Sequence, residues 1–150
     1  MKATAGKIIK AFKEGNKLLI CGNGGSAGQA QHLAGELVCK YQHVRKPLPA
    51  IALTTDTSTI TAIANDFGYE HVFSRQVDAL GKRGDILLTM TTSGTSENVI
   101  NAENMALKKG MEFIRLPCDG QDTPTIQEGH LRMIHEICEW VEKAIKEKSL

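Results

Sequence analysis

The chain has 150 residues, 41% of them hydrophobic, and its 18 basic and 17 acidic residues leave a formal net charge of +1. That is material for one domain with a real core, and charge spread without blocks excludes a polybasic nucleic-acid surface and an acidic disordered tail. No run of about twenty apolar residues occurs and the first residues lack a secretory hydrophobic region, so a soluble cytoplasmic protein is expected, with no membrane and no nucleic-acid partner.

Residues 3–14 read as a short helix stopped by Gly15-Asn16. The run Lys17-Leu18-Leu19-Ile20-Cys21 gives a buried strand that leads into Gly22-Asn23-Gly24-Gly25-Ser26, and Ser26 opens a helix. Along it Ala27, Ala30, Leu33, Ala34 and Leu37 repeat at helical spacing and face the sheet, while His32 and Glu36 fall on another face. Pro47 and Pro49 punctuate a loop before a second strand, Ala50-Ile51-Ala52-Leu53. Residues 57–64 then read as a helix, Asn65-Asp66-Phe67-Gly68 as a turn and residues 72–80 as another helix ended by Gly81.

Residues 85–90 form the third strand and run into Thr91-Thr92-Ser93-Gly94-Thr95-Ser96. The next helix carries Val99, Ile100, Ala102, Ala106 and Leu107 inward and ends at Lys108-Lys109-Gly110. Residues 111–113 and 114–117 each resemble part of a strand, yet parallel neighbours need roughly a dozen residues of crossover between them. Either they are one strand of a small sheet, or a segment is absent near Phe113. Thr123 as N-cap and Pro124 at the first position start a long amphipathic helix reaching about Lys146. Its apolar positions Met133, Ile137, Trp140, Val141 and Ile145 exceed what one sheet face would cover. Cys21, Cys39, Cys118 and Cys138 form no CxxC pair and are expected to be free structural thiols.

Strands alternating with helices imply a mostly parallel α/β sheet covered on both faces, with ligands beyond the carboxyl ends of its strands. Both polar loops sit there. Glycines allow close backbone approach, hydroxyls add donors and a helix N-terminus adds partial positive charge, which together suit phosphate. A helix cap needs only Thr95 or Ser96, so the hydroxyls of Thr91, Thr92, Ser93 and Ser96 exceed that need. His32 and Glu36, four apart, project from one helix face and can share a metal ion. By themselves such pairs are common on solvated helices. His135 among Met133, Ile134, Ile137 and Cys138 reads as a core histidine, and Asn65-Asp66 as turn chemistry. His43, His71 and His130 read as surface or structural groups.

In order along the chain, Gly22-Asn23-Gly24-Gly25-Ser26, Ala62-Ile63-Ala64-Asn65-Asp66-Phe67-Gly68, Thr92-Ser93-Gly94-Thr95-Ser96 and Thr125-Ile126-Gln127-Glu128 resemble the sugar isomerase (SIS) domain family. The resemblance runs from Lys17 onward. It implies a three-layer flavodoxin-like parallel sheet flanked by helices, with a long C-terminal helix. Residues 1–150 would be one such domain; the family has five strands, so a strand-and-helix segment would be missing near 113/114. It further implies aldose/ketose isomerisation of a phosphosugar, D-sedoheptulose 7-phosphate to D-glycero-D-manno-heptose 7-phosphate, for bacterial heptose and lipopolysaccharide precursors.

In that pattern Glu36 and His135 take the positions of base and acid, and His32, Glu36, Gln127 and His135 those of ligands to a divalent metal, read as zinc. Asn23, Gly24, Gly25, Ser26, Glu36, Asn65, Asp66, Thr91, Thr92, Ser93, Ser96 and Gln127 take the substrate-facing positions. Thr125 stands where arginine is common. The family implies a homotetramer with sites at subunit boundaries. A competing reading is a non-enzymatic SIS protein that binds the replication initiator or senses a phosphosugar; the four residues His32, Glu36, Gln127 and His135 together favour the enzyme. One spacing is awkward, because the eight residues from Gln127 to His135 rise about 12 Å along a helix.

Overall fold

The computed structural model describes residues 1–147. Four parallel strands lie in the order β2-β1-β3-β4: β1 (Leu18–Gly22), β2 (Ala50–Ala52), β3 (Ile86–Met90) and β4 (Glu112–Arg115). The helices are α1 (Lys2–Lys13), α2 (Gly25–Val38), α3 (Thr57–Phe67), α4 (Ser74–Leu80), α5 (Glu97–Lys108) and α6 (Thr123–Lys146), with one short 3-10 turn at Tyr69–His71.

β1 and β3 are continuous apolar runs because both faces of the sheet are covered. Successive side chains alternate between faces. Leu18, Ile20 and Leu88 pack with Ile8, Leu33, Leu37, Ile134, Ile137 and Val141 of α1, α2 and α6. Leu19, Cys21 and Leu87 pack on the other face with Val72, Val77, Val99 and Ala102. Each fully buried Leu or Ile contributes about 1.5–3 kcal/mol by leaving water. The layers put the carboxyl ends of β1 and β3 side by side, with Cys21 opposite Thr89 and Gly22 opposite Met90, so their loops start as neighbours.

Several details differ from the sequence expectation. Of the two alternatives for residues 111–117, the structure has the single strand, Glu112–Arg115: Phe113 pairs with Leu87 and Ile114 with Leu88 in unbroken register, and the described sheet has four strands where the resemblance implies five. α3 runs on to Phe67, so Asn65 and Asp66 lie in its last turn and the break comes at Gly68, with φ 98°. Asp122, not Thr123, caps α6 by accepting the Thr125 N–H at 2.9 Å. Hydrogen bonding from the Thr125 side chain, and then from this N–H, holds the Asp122 carboxyl below the usual carboxylate range. Leu107 is 56% exposed and Ile100 half-buried, because the inner stripe of α5 is Val99, Ala102, Glu103 and Ala106. Of the supposed surplus on α6, Ile137 and Val141 are in the core, and Met133 and Ile145 pack against it. Trp140 is half-buried, with the Lys2 and Lys143 ammonium groups 5.0 and 5.1 Å from its ring centre.

All four cysteines are free, Cys21 and Cys138 buried, Cys39 and Cys118 exposed. Among the described residues no helix is long and apolar enough to cross a membrane.

Candidate active site

β3 ends at Met90 and α5 begins at Glu97, so residues 91–96 form a tight cap over the end of the strand. Three hydroxyls converge there: Thr91 Oγ1 lies 3.3 Å from Ser93 Oγ and 3.1 Å from Ser96 Oγ, and the two serines are 3.4 Å apart. Ser96 occupies the N-cap position of α5, yet its hydroxyl makes no capping bond and turns to Thr91 instead. The first N–H groups of α5 thus carry no side-chain cap. Gly94, with φ 70°, lets the chain fold back so that its N–H reaches Thr91 Oγ1 at 3.2 Å. Hydroxyls, helix N–H groups without a side-chain cap and the helix dipole are together the donor set that suits an anion.

The first loop is fastened to the second. Asn23 and Asn98 exchange two amide hydrogen bonds of 2.8 and 2.9 Å, and the Tyr69 hydroxyl donates to Asn23 Oδ1 at 3.0 Å. Gly24 starts α2 with φ 55° and no side-chain cap. Gly25 is there for space: a Cβ at this position would collide with the Gln127 carboxamide, and Gln29 Nε2 donates to the Gln127 carbonyl at 2.6 Å. α6 therefore enters the site over the first turn of α2.

Two turns further along both helices, three ligand-type side chains meet. His32 Nε2 lies 3.0 Å from Glu36 Oε1 and 3.2 Å from His135 Nε2, and His135 Nε2 is 3.7 Å from the same Glu36 oxygen. Their ligand atoms all lie within 4.8 Å of one another. Two imidazole nitrogens and one carboxylate oxygen with an open side are the donor set of a divalent-metal site that keeps a position for substrate, so the residues present fit such an ion. Glu36 Oε2 accepts from the Cys138 thiol at 3.2 Å. Burial, then this bond, push the Cys138 thiol well above its ordinary pKa, so it stays a neutral donor.

His135 is backed by Tyr41, whose ring stacks on it at 5.5 Å and 25°. Glu142, buried on α6, accepts the backbone N–H groups of Tyr41, Gln42 and His43 at 3.0–3.1 Å. Burial opposes its ionisation, but these three donors and Arg45 outweigh that and lower its pKa. Arg45 in turn donates to the Glu36 and Leu37 carbonyls at 2.6 and 2.7 Å, closing the end of α2.

The sequence and fold are similar to those of known proteins. The model of the SIS domain matches residues 1–117. The chain belongs to the SIS domain family. Its sequence is 47% identical to the phosphoheptose isomerase of Pelobacter propionicus, covering 97% of this chain and 85% of the relative. It is 45% identical to that of Aneurinibacillus thermoaerophilus, covering 97% and 81%. A structure of the phosphoheptose isomerase from Neisseria gonorrhoeae superposes with TM-score 0.86 at 38% identity, and one from Francisella tularensis with 0.89 at 36%, each covering 93% of this chain and 83% of the other.

Within this SIS chain the expected residues form two clusters, with the rest placed around them. Thr91, Ser93 and Ser96 come together, and so do His32, Glu36 and His135. Thr92 sits half-buried beside the hydroxyl cluster. Gln127 lies over Gly25, eight residues before His135 on α6. Ser26 is buried at 3% exposure, and Asn65 and Asp66 are exposed and hydrogen-bonded to each other at 2.7 Å. The cleft against His135, about 710 Å³, is lined by Tyr41, Glu128, Leu131, Arg132, Glu136, Glu139 and Trp140, with no residue of the hydroxyl loop. Sequence reading missed Asn98, Tyr41 and Cys138. Cys138 had a readable signal, three residues after His135 on one helix face; the pairing of Asn98 with Asn23 had none.

Proposed function

We propose that this protein is a phosphosugar aldose/ketose isomerase that converts D-sedoheptulose 7-phosphate to D-glycero-D-manno-heptose 7-phosphate, in bacterial heptose and lipopolysaccharide precursor synthesis. The observation that carries this reading is the meeting of His32, Glu36 and His135 within one chain. A protein that only senses phosphosugar or binds a replication initiator uses the hydroxyl loop and leaves that cluster without a role.

Thr91, Thr92, Ser93 and Ser96 hold the phosphate, and Asn23, Gly24, Gly25, Ser26, Asn65, Asp66 and Gln127 contact the sugar. Glu36 takes the proton from C1, the freed electron pair makes the C1–C2 enediol, and His135 protonates the oxygen on C2. Return of the carbon-bound proton to C2 with loss of the O1 proton leaves an aldehyde at C1, so no atom is gained or lost. Zinc, when bound, would be held by His32, Glu36 and His135 with Gln127 as a fourth donor and would polarise the carbonyl, the ligand and proton-transfer roles of Glu36 and His135 alternating with its occupancy.

The rise of about 12 Å between Gln127 and His135 supports a site completed across a subunit boundary, as does a cleft at His135 that lacks the hydroxyl loop. We read the assembly as a homotetramer in the cytoplasm. Residues 1–150 are one SIS domain that lacks a segment near 113/114. The alignment with the Pelobacter relative spans 161 positions while holding 97% of 150 residues, leaving about fifteen with no partner here, the length of one crossover.

The test is an isomerisation assay on sedoheptulose 7-phosphate with and without chelator, for the parent, Glu36→Gln and His135→Ala. Undiminished turnover in both variants removes the assignment of base and acid.

A further inference from the structure

Arg115 is on the edge strand β4, and nothing in the chemistry above uses it. Its guanidinium nonetheless makes three hydrogen bonds to two fixed partners. Nε and Nη2 donate to the two carboxylate oxygens of Glu103 at 2.9 and 2.5 Å, and Nη1 donates to the Gly94 carbonyl at 3.1 Å. Glu103 is 4% exposed on the inner face of α5 and also accepts the Thr89 hydroxyl at 2.7 Å. A forked guanidinium–carboxylate pair is rigid, so it makes Arg115 a strut from the core to the loop. Among the described residues it is the one cationic side chain hydrogen-bonded to residues 91–96.

We propose that Arg115 is a positioning residue for phosphate binding: it clamps the Gly94–Thr95 peptide so that the hydroxyl loop is held in its ligand-binding form. The proposal takes its ligand from the phosphosugar reading above. A trans peptide points its C=O and N–H in opposite directions, and the described residues contain no cis bond. With the Gly94 carbonyl held by Arg115, the Thr95 N–H is aimed at Ser93 Oγ, which it reaches at 3.2 Å. Ser93 Oγ accepts from the backbone, so its own proton is directed away from that bond, toward the neighbouring hydroxyls or an anion that replaces them. Glycine at positive φ has competing conformations of similar energy, and the tether selects one. Arg115 also neutralises Glu103, a buried carboxylate that would otherwise repel an anion bound above it.

Inorganic phosphate is the probe, titrated calorimetrically into the parent, Arg115→Gln, Arg115→Lys and the double variant Arg115→Gln/Glu103→Gln, with KM and kcat for sedoheptulose 7-phosphate alongside. The double variant removes the carboxylate that the single one strands in the interior, and so keeps the comparison on a folded protein. Phosphate affinity should fall about tenfold or more in Arg115→Gln and by about tenfold in the double variant, the scale of one lost charge-assisted hydrogen bond. KM should rise in step while kcat stays within about twofold, the pattern of lost uniform binding. Lysine, which keeps the charge but not the fork, should not rescue. Phosphate affinity of the double variant equal to the parent's overturns the clamp and leaves the isomerase reading standing. A parent that binds phosphate, loses it in the variants, and yet fails to isomerise the sugar overturns that reading and leaves the clamp. A parent that ignores phosphate overturns both.

Discussion

Thr91, Ser93 and Ser96 lie within six consecutive residues and are held by hydrogen bonds among themselves and to their own backbone, whereas His32 meets His135 across 103 residues through the packing of α2 on α6. The hydroxyl loop is a local object that one strand end and one helix start produce together. The imidazole–carboxylate cluster exists only when two helices dock in register. In the proposed site, the chemistry therefore depends on tertiary structure at one end and on turn geometry at the other.

The sharpest way to separate the two ends is to disable one and watch the other. Glu36→Gln or His135→Ala should lower kcat by about 10²–10⁴-fold, the usual contribution of a general base or acid, while phosphate affinity measured by calorimetry holds. Chelation should abolish turnover, zinc should restore it, and phosphate affinity should not move. If a chelator weakens phosphate binding as well, the two ends are one coupled unit. Ser93→Ala and Ser96→Ala should do the reverse, each raising KM by about tenfold, the loss of one hydrogen bond to a charged group, with kcat at saturation kept.

Acid offers a milder probe. The folded pKa of Glu142 lies below its unfolded value, so its carboxylate contributes stability above the ordinary carboxylate range and loses it as pH falls through the lowered folded value. Glu142→Gln should flatten the acid limb of a Tm-against-pH curve followed by circular dichroism. It should also loosen Tyr41 behind His135 and cost activity before it costs phosphate binding. Cys138→Ser, which keeps a donor to Glu36, should be the smallest change, within about twofold in kcat by the ordinary worth of one retained neutral hydrogen bond.

The same contrast explains what the sequence disclosed. Strand, glycine loop and helix start are neighbours in the chain, so Gly22 to Ser26 and Thr91 to Ser96 could be placed at the ends of β1 and β3 from pattern alone. His32 and Glu36 were legible as one helix face. That His135 joins them was legible only through family resemblance, because a histidine among Met133, Ile134 and Ile137 looks like core. Helix ends were misjudged where side chains competed: Asp122 rather than Thr123 caps α6, and α3 swallows Asn65 and Asp66 because Gly68, not the polar pair, breaks it. The apolar surplus on α6 was overestimated because α1 and α2 cover Ile137 and Val141, a docking that no local pattern encodes.

One margin of the sheet, β4, is only four residues long, and its ends are Glu112, paired with Lys7, and Arg115, paired with Glu103. An open strand margin invites another chain to add itself and start a fibril, and short length with charged flanks is the usual safeguard. The salt bridges that close β4 thus double as protection against aggregation in a sheet that stops at four strands.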